Sequence, residues 1–211
     1  MAFFDNGGSP AAAGPPPAGP VSPNPPSNMI GRLAPVQLEL VRGPEVAIDL
    51  LGFVCYPSGL EFSIHIRSRD GLIGPELLWT SADEVSRKRN EHLHIGVEFS
   101  DGTVVTNMNG LFPLDLLPGD TPLLMPRNGG GNRWTWSENI WLSPLPPSGT
   151  ARFVAEWLMA GIDEVTVAFE ADPLLEASRH VREFWPAPKR EGIPPTVWTS
   201  MELKQLPDGS F

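Results

Sequence analysis

Residues 133–157 read RWTWSENIWLSPLPPSGTARFVAEW, and this stretch decides the fold. It holds four of the 7 tryptophans: Trp134, Trp136, Trp141 and Trp157. Trp134 and Trp136 are two residues apart, so an extended chain points both to one face. Phe153, Ala155 and Trp157 repeat that spacing after the proline-rich turn at 144–149, while Arg152 and Glu156 take the opposite face. Two aromatic strands joined by a stiff connection imply an all-β core, with Trp157 buried beside Phe153.

Working outward, the alternation recurs. Val36, Leu38 and Leu40 alternate with Gln37 and Glu39 until Gly43 and Pro44 break the run. Residues 46–56 are apolar except for Asp49, and Pro57, Ser58 and Gly59 then signal a turn. Leu60, Phe62, Ile64 and Ile66 follow, alternating with Glu61, Ser63, His65 and Arg67, so a hairpin is expected. Leu93, Ile95, Val97 and Phe99 alternate with His92, His94, Gly96 and Glu98. Asp101 and Gly102 close a second hairpin onto residues 103–107. Residues 108–132 carry five glycines and four prolines and read as a long loop, with Gly129, Gly130 and Gly131 inside it. Val165, Val167 and Phe169 alternate after a turn at Gly161. Asp172 followed by Pro173 predicts a carboxylate-capped start to a short amphipathic helix through Leu174, Leu175, Ser178 and Val181. About eight strands, one C-terminal helix and no long crossover predict an all-β fold, a two-layer antiparallel β-sandwich.

The sandwich is expected over residues 29–186. Residues 1–28 form a proline-rich arm, with too little apolar surface over 7–28 to offset its ordering entropy. Pro17, Pro20, Pro23 and Pro26 recur every third residue, so one edge of a polyproline II helix would carry all four, the geometry of proline-motif ligands. Phe3 and Phe4 place an apolar peg at the tip. Residues 187–211 are a proline-broken tail, and both termini are expected to be disordered.

Charge narrows the partners. With 15 basic and 25 acidic residues the formal net charge is −10, which repels a phosphate backbone. Arg87, Lys88 and Arg89 are a local exception and read as a solvated loop, so no nucleic-acid partner is expected. No run approaches the roughly 18 apolar residues of a membrane helix. The opening MAFFDNGGSP lacks the basic-then-apolar pattern of a leader, so no membrane partner and a cytoplasmic location are expected. The lone Cys55, in GFVCYP, excludes an intramolecular disulfide and reads as a small buried hydrophobe.

The segments YPSGLEF at 56–62, EFSDGTVVTN at 98–107 and IWLSPLPPSGTARFVAEW at 140–157 resemble an uncharacterised family of bacterial β-rich proteins. The resemblance spans roughly residues 45–186 and implies one β-rich domain and no activity.

Three constellations bear on function. His92, His94 and Glu98 have even separations, so on a strand they share a face, and two imidazoles with a carboxylate suit iron, manganese or zinc. The spacing HxHxxxE resembles the first metal motif of cupins. It departs from that motif at Ser86, where cupins carry glycine, and it lacks their later histidine, a place His65 fills only if the strands pair in register. Solvent-facing alternation explains the same residues, so no metal and no cofactor are expected. Gly129, Gly130 and Gly131 lack the lysine and helix start of a phosphate loop, and no GxSxG nucleophile elbow occurs. Trp134 and Trp136, with Asn132 beside them, could stack on a sugar or other flat ligand. The leading expectation is a non-enzymatic interaction or structural module. Its arm, through Phe3, Phe4, Pro17, Pro20 and Pro23, docks to a protein partner. A carbohydrate-like binding sandwich comes next, and a cupin-like metalloenzyme third.

Overall fold

Alternating runs separated by short turns pair as antiparallel hairpins, and this computed structural model, which describes residues 3–4, 21–71, 73, 91–109 and 121–186, is built from them. Three short strands come first: β1 (Met29–Ile30), β2 (Arg32–Leu33) and β3 (Leu38–Arg42). The long hairpin of β4 (Val46–Tyr56) and β5 (Gly59–Ser68) follows, turning at Pro57 and Ser58. Next is the hairpin of β6 (His94–Glu98) and β7 (Val104–Thr106), whose turn is held by the Asp101 carboxylate accepting from the Thr103 N–H at 2.9 Å. β8 (Leu123–Gly131) pairs with β9 (Thr135–Ser143). β10 (Thr150–Trp157) and β11 (Ile162–Glu170) turn at Gly161, whose φ of 67° is a left-handed conformation that suits glycine. Helix α1 (Asp172–Arg179) and β12 (Arg182–Glu183) end the described chain.

The strands make two facing sheets and a small ribbon. The larger sheet runs β2-β4-β5-β9-β8, with β3 also on β4. The smaller sheet runs β11-β10-β6-β7, and β1 pairs with β12 apart from both. Residues 144–149 carry the chain from β9 in one sheet to β10 in the other, so the two tryptophan-bearing strands are central in opposite layers. Their inner residues meet through aromatic rings: Phe53 on Phe62 at 5.5 Å, Phe62 on Phe153 at 5.3 Å and Phe153 on Phe169 at 5.1 Å. Trp157 is fully buried on the same face as Phe153. The expected all-β sandwich is the observed one. α1 buries Leu174 and Ala177 and packs against β4.

Four local expectations change. The described residues contain twelve strands, partly because Leu123–Gly131 is an edge strand rather than a loop. Its glycines let the backbone lie close to β9: a Cβ on Gly131 would stand 2.0 Å from the Thr135 carbonyl oxygen. Trp134 sits in the β8–β9 turn, so it does not share a strand face with Trp136. Asp172 is the first helical residue, not the cap, and its carboxylate accepts from the Ser148 hydroxyl at 2.6 Å. The ordered chain also reaches back before residue 29. Asn28 is buried and donates to the Trp185 carbonyl at 3.1 Å, and Ser22 is bonded to the sandwich. Pro17 and Pro20, the 187–211 tail, the Arg87–Arg89 run and residues 110–120 of the 108–132 excursion lie outside the described residues. Among the described residues no helix is long and apolar enough to cross a membrane.

Candidate functional site

The outer face of the smaller sheet carries the most unusual chemistry. Because Ile95 and Val97 face the core, His94, Gly96 and Glu98 face outward, and β10 likewise turns Arg152, Val154 and Glu156 outward. The register places Thr106, Gly96, Val154 and Thr166 in one row across four strands, and His94 opposite Glu156 beside it. Simple alternation predicts a solvated surface here. The structure shows otherwise: His94 is 2% exposed, Val154 2% and Glu156 7%. His94 Nδ1 and Glu156 Oε2 lie 3.3 Å apart, a buried histidine–carboxylate hydrogen bond.

Part of the cover is the chain's own tip. Phe4 is 1% exposed, its ring centroid 5.5 Å from that of His94. Phe3 meets Phe4 edge to face at 5.0 Å, a favourable arrangement of ring quadrupoles. The Phe3 ring lies over Gly96, where a Cβ would stand 2.5 Å from it. The Phe3 backbone N–H donates to Glu164 Oε2 at 2.6 Å. An aromatic pair in a turn, a glycine gap beneath one ring and a carboxylate on one amide together make a seat for the Phe3–Phe4 tip.

A second stretch of the N-terminal chain lies on the larger sheet. Trp141, also fully buried, faces away from the core, and its indole N–H donates to the Ser22 carbonyl at 2.7 Å. The Ser22 N–H donates to Ser143 Oγ at 2.9 Å, and Arg127 donates to the Asn24 side chain at 2.5 Å. Tyr56 meets Trp141 edge to face at 5.8 Å, and Gly31 lies directly on Tyr56 and Val54. Pro23, in this segment, is half-buried.

The other residues singled out in the sequence are dispersed. Glu98 receives a hydrogen bond from Arg152 at 3.1 Å. His92 is buried ahead of β6, and His65 is on the outer face of the larger sheet, across the sandwich from His94. Among the described residues no three His, Cys, Asp or Glu side chains are placed to hold a metal ion. Trp136 packs partly against the core and donates to the buried Glu138 at 3.2 Å. Asn132 is a turn residue, its side-chain oxygen accepting from the Trp134 and Thr135 N–H groups at 2.9 and 3.1 Å. Trp134 is 51% exposed, with the Arg133 guanidinium 5.1 Å over its ring. Beside it an open groove of about 380 Å³ is lined by Arg67, Arg69 and Thr135. Cys55 is fully buried, and burial pushes its thiol up to about 12, which makes it a poor nucleophile at neutral pH.

Sequence reasoning missed Gly96, Val154, Glu156 and Glu164. Two signals were present. A glycine inside an alternating strand marks a close approach of another group. Val154 is an apolar residue on a face otherwise read as polar, between Arg152 and Glu156.

No family model, curated protein or solved structure matches this chain.

Proposed function

We propose that the protein is a non-enzymatic interaction module whose smaller sheet receives an aromatic-tipped segment on its outer face. The observation that carries this reading is the burial of Phe4, 1% exposed, against His94 beside the glycine gap at Gly96. The reading keeps the N-terminal arm as the docking element and gives it an address. The protein acts in the cytoplasm on protein partners, without nucleic acid, membrane or cofactor. Titrating a peptide of residues 1–8 into full-length protein carrying Phe3→Ala and Phe4→Ala tests it. Saturable binding in the millimolar to high-micromolar range is expected for so small a contact. Binding should be lost when Gly96→Val is added. A peptide that does not bind, or that binds equally with Gly96→Val, ends the reading.

A second reading rests on Trp134. A half-exposed indole beside an arginine-lined groove suits a flat, polar, carbohydrate-like ligand. A change in tryptophan fluorescence on titration with acidic oligosaccharides, absent in Trp134→Ala, is the expected result. An unchanged spectrum removes it.

A further inference from the structure

The larger sheet ends in an open edge. Among the described residues β8 pairs only with β9, and residues 127–131 are exposed. The register puts Glu39, Asp49, His65, Ser137 and Gly130 in one row across five strands of the outer face. The next row is closed by its side chains: Ser63 donates to Asn139 at 2.5 Å, and Asn139 to Asn128 at 3.2 Å. The Gly130 row is left open. A Cβ on Gly130 would meet nothing within 4 Å. A groove of about 250 Å³ lies there, lined by His65, Arg67, Thr135 and Ser137. Each of these four side chains can donate a hydrogen bond, and no acidic side chain among the described residues lines the groove. Asp49 accepts from one Arg67 N–H at 2.6 Å, which leaves the rest of the guanidinium fork on a side chain that is 55% exposed.

We infer that the β8 edge accepts an extended acidic segment of a partner protein as an added strand, with one glutamate laid across Gly130 into the groove. An exposed edge strand offers backbone groups that template such an addition, and pockets for alternate side chains supply its selectivity. The residue beside Gly130 in the added strand continues the row toward Ser137 and His65. Two strand spacings, about 10 Å, separate that strand from β9, so the side chain that crosses must be long, glutamate rather than aspartate. Its carboxylate meets a guanidinium and neutral donors, the pairing that makes charge-assisted hydrogen bonds. The local charge agrees: residues 121–137 hold Arg127 and Arg133 and neither Asp nor Glu. Pro126 has no N–H, and the pairing register skips Arg127, so the regular edge runs over residues 128–131 alone. The partner strand is therefore short, about four to six residues. This edge lies on the opposite sheet from the Phe3–Phe4 seat and does not rest on it.

Fluorescence anisotropy of a labelled TVEVTV peptide titrated with full-length protein tests this. Saturable binding with a Kd below about 1 mM is expected for so short a strand. TVQVTV should bind at least about fivefold more weakly, because it loses the charge on the carboxylate. Two further peptides, N-methylated on alternate backbone nitrogens in opposite phases, should part: one loses binding and the other keeps it, since only one set of amides faces β8. Gly130→Val fills the open place in the row and should weaken TVEVTV at least about tenfold. Arg67→Gln should weaken TVEVTV as the glutamine peptide does, and should leave TVQVTV unchanged. Near-UV circular dichroism checks that both variants are folded, and Arg67→Gln carries the test should Gly130→Val not fold. Phe3→Ala with Phe4→Ala should bind TVEVTV as wild type does, which separates this edge from the seat on the smaller sheet. No binding of TVEVTV at about 2 mM, equal binding of TVQVTV, or equal binding of the two methylated peptides would each overturn the inference.

Discussion

At the scale of single residues, three tryptophans in one stretch have three different fates. Trp157 is fully buried on the inner face, with its indole N–H donating to the Glu91 carbonyl at 3.1 Å. Trp157→Ala should therefore cost about 3–5 kcal/mol in urea unfolding, the range for a large aromatic that leaves a cavity. Trp134→Ala, at a half-exposed turn position, should stay within about 0.5 kcal/mol of wild type. Trp141 is as buried as Trp157 but from the outer side, so its burial depends on the strand-free segment around Ser22. Cys55 offers a pH test. Burial raises its thiol from 9.0 to about 12. As pH rises, the unfolded chain loses that proton first, so stability falls through this window by up to about 1.4 kcal/mol per pH unit. Below the window both states keep the proton and the effect vanishes. Comparing wild type with Cys55→Ala at about pH 8 and about pH 10 should show the wild type losing more stability between the two. Parallel losses would mean that the thiol is reached by solvent.

At the scale of elements, β8 shows how a strand can hide in a loop-like composition. Proline and three consecutive glycines carry poor strand propensity, yet Leu123–Gly131 pairs along β9. Gly131 has no room for a side chain, since a Cβ would meet backbone atoms of Thr135 and Trp136 at 2.0 and 2.7 Å. Gly130 has nothing within 4 Å. Gly131→Ala should cost about 1–3 kcal/mol by forcing backbone apart. Gly130→Ala should be neutral or stabilise by about 0.4–1 kcal/mol through the unfolded chain. Equal thermal midpoints for the two variants would contradict the pairing register. The legible elements were those with strict alternation and a strong turn, such as β4 with β5 and β6 with β7. Local alternation encodes which face is which, but not what covers an outer face. That is why His94 and Glu156 read as solvated and Val154 passed unnoticed. Phe4, which meets His94, comes from far away in sequence and leaves no local periodic trace.

At the scale of the molecule, the N-terminal chain touches both outer faces, residues 3–4 on the smaller sheet and residues 22–24 on the larger. The two contacts differ in energy. Burying a phenylalanine is worth about 1.5–3 kcal/mol. Phe4 is 1% exposed, so removing it forfeits that burial. The Ser22 segment is continuous with β1 and β2 and accepts the indole hydrogen bond of the fully buried Trp141. Deleting residues 1–20 should therefore cost about 1.5–3 kcal/mol. Deleting residues 1–28 should cost at least about 2 kcal/mol more, because it uncovers an indole and leaves its N–H without the Ser22 acceptor. Urea midpoints at constant slope measure both. If the longer deletion costs no more than the shorter, the Ser22 segment contributes nothing to folding. If the shorter one costs nothing, Phe4 is not held against His94.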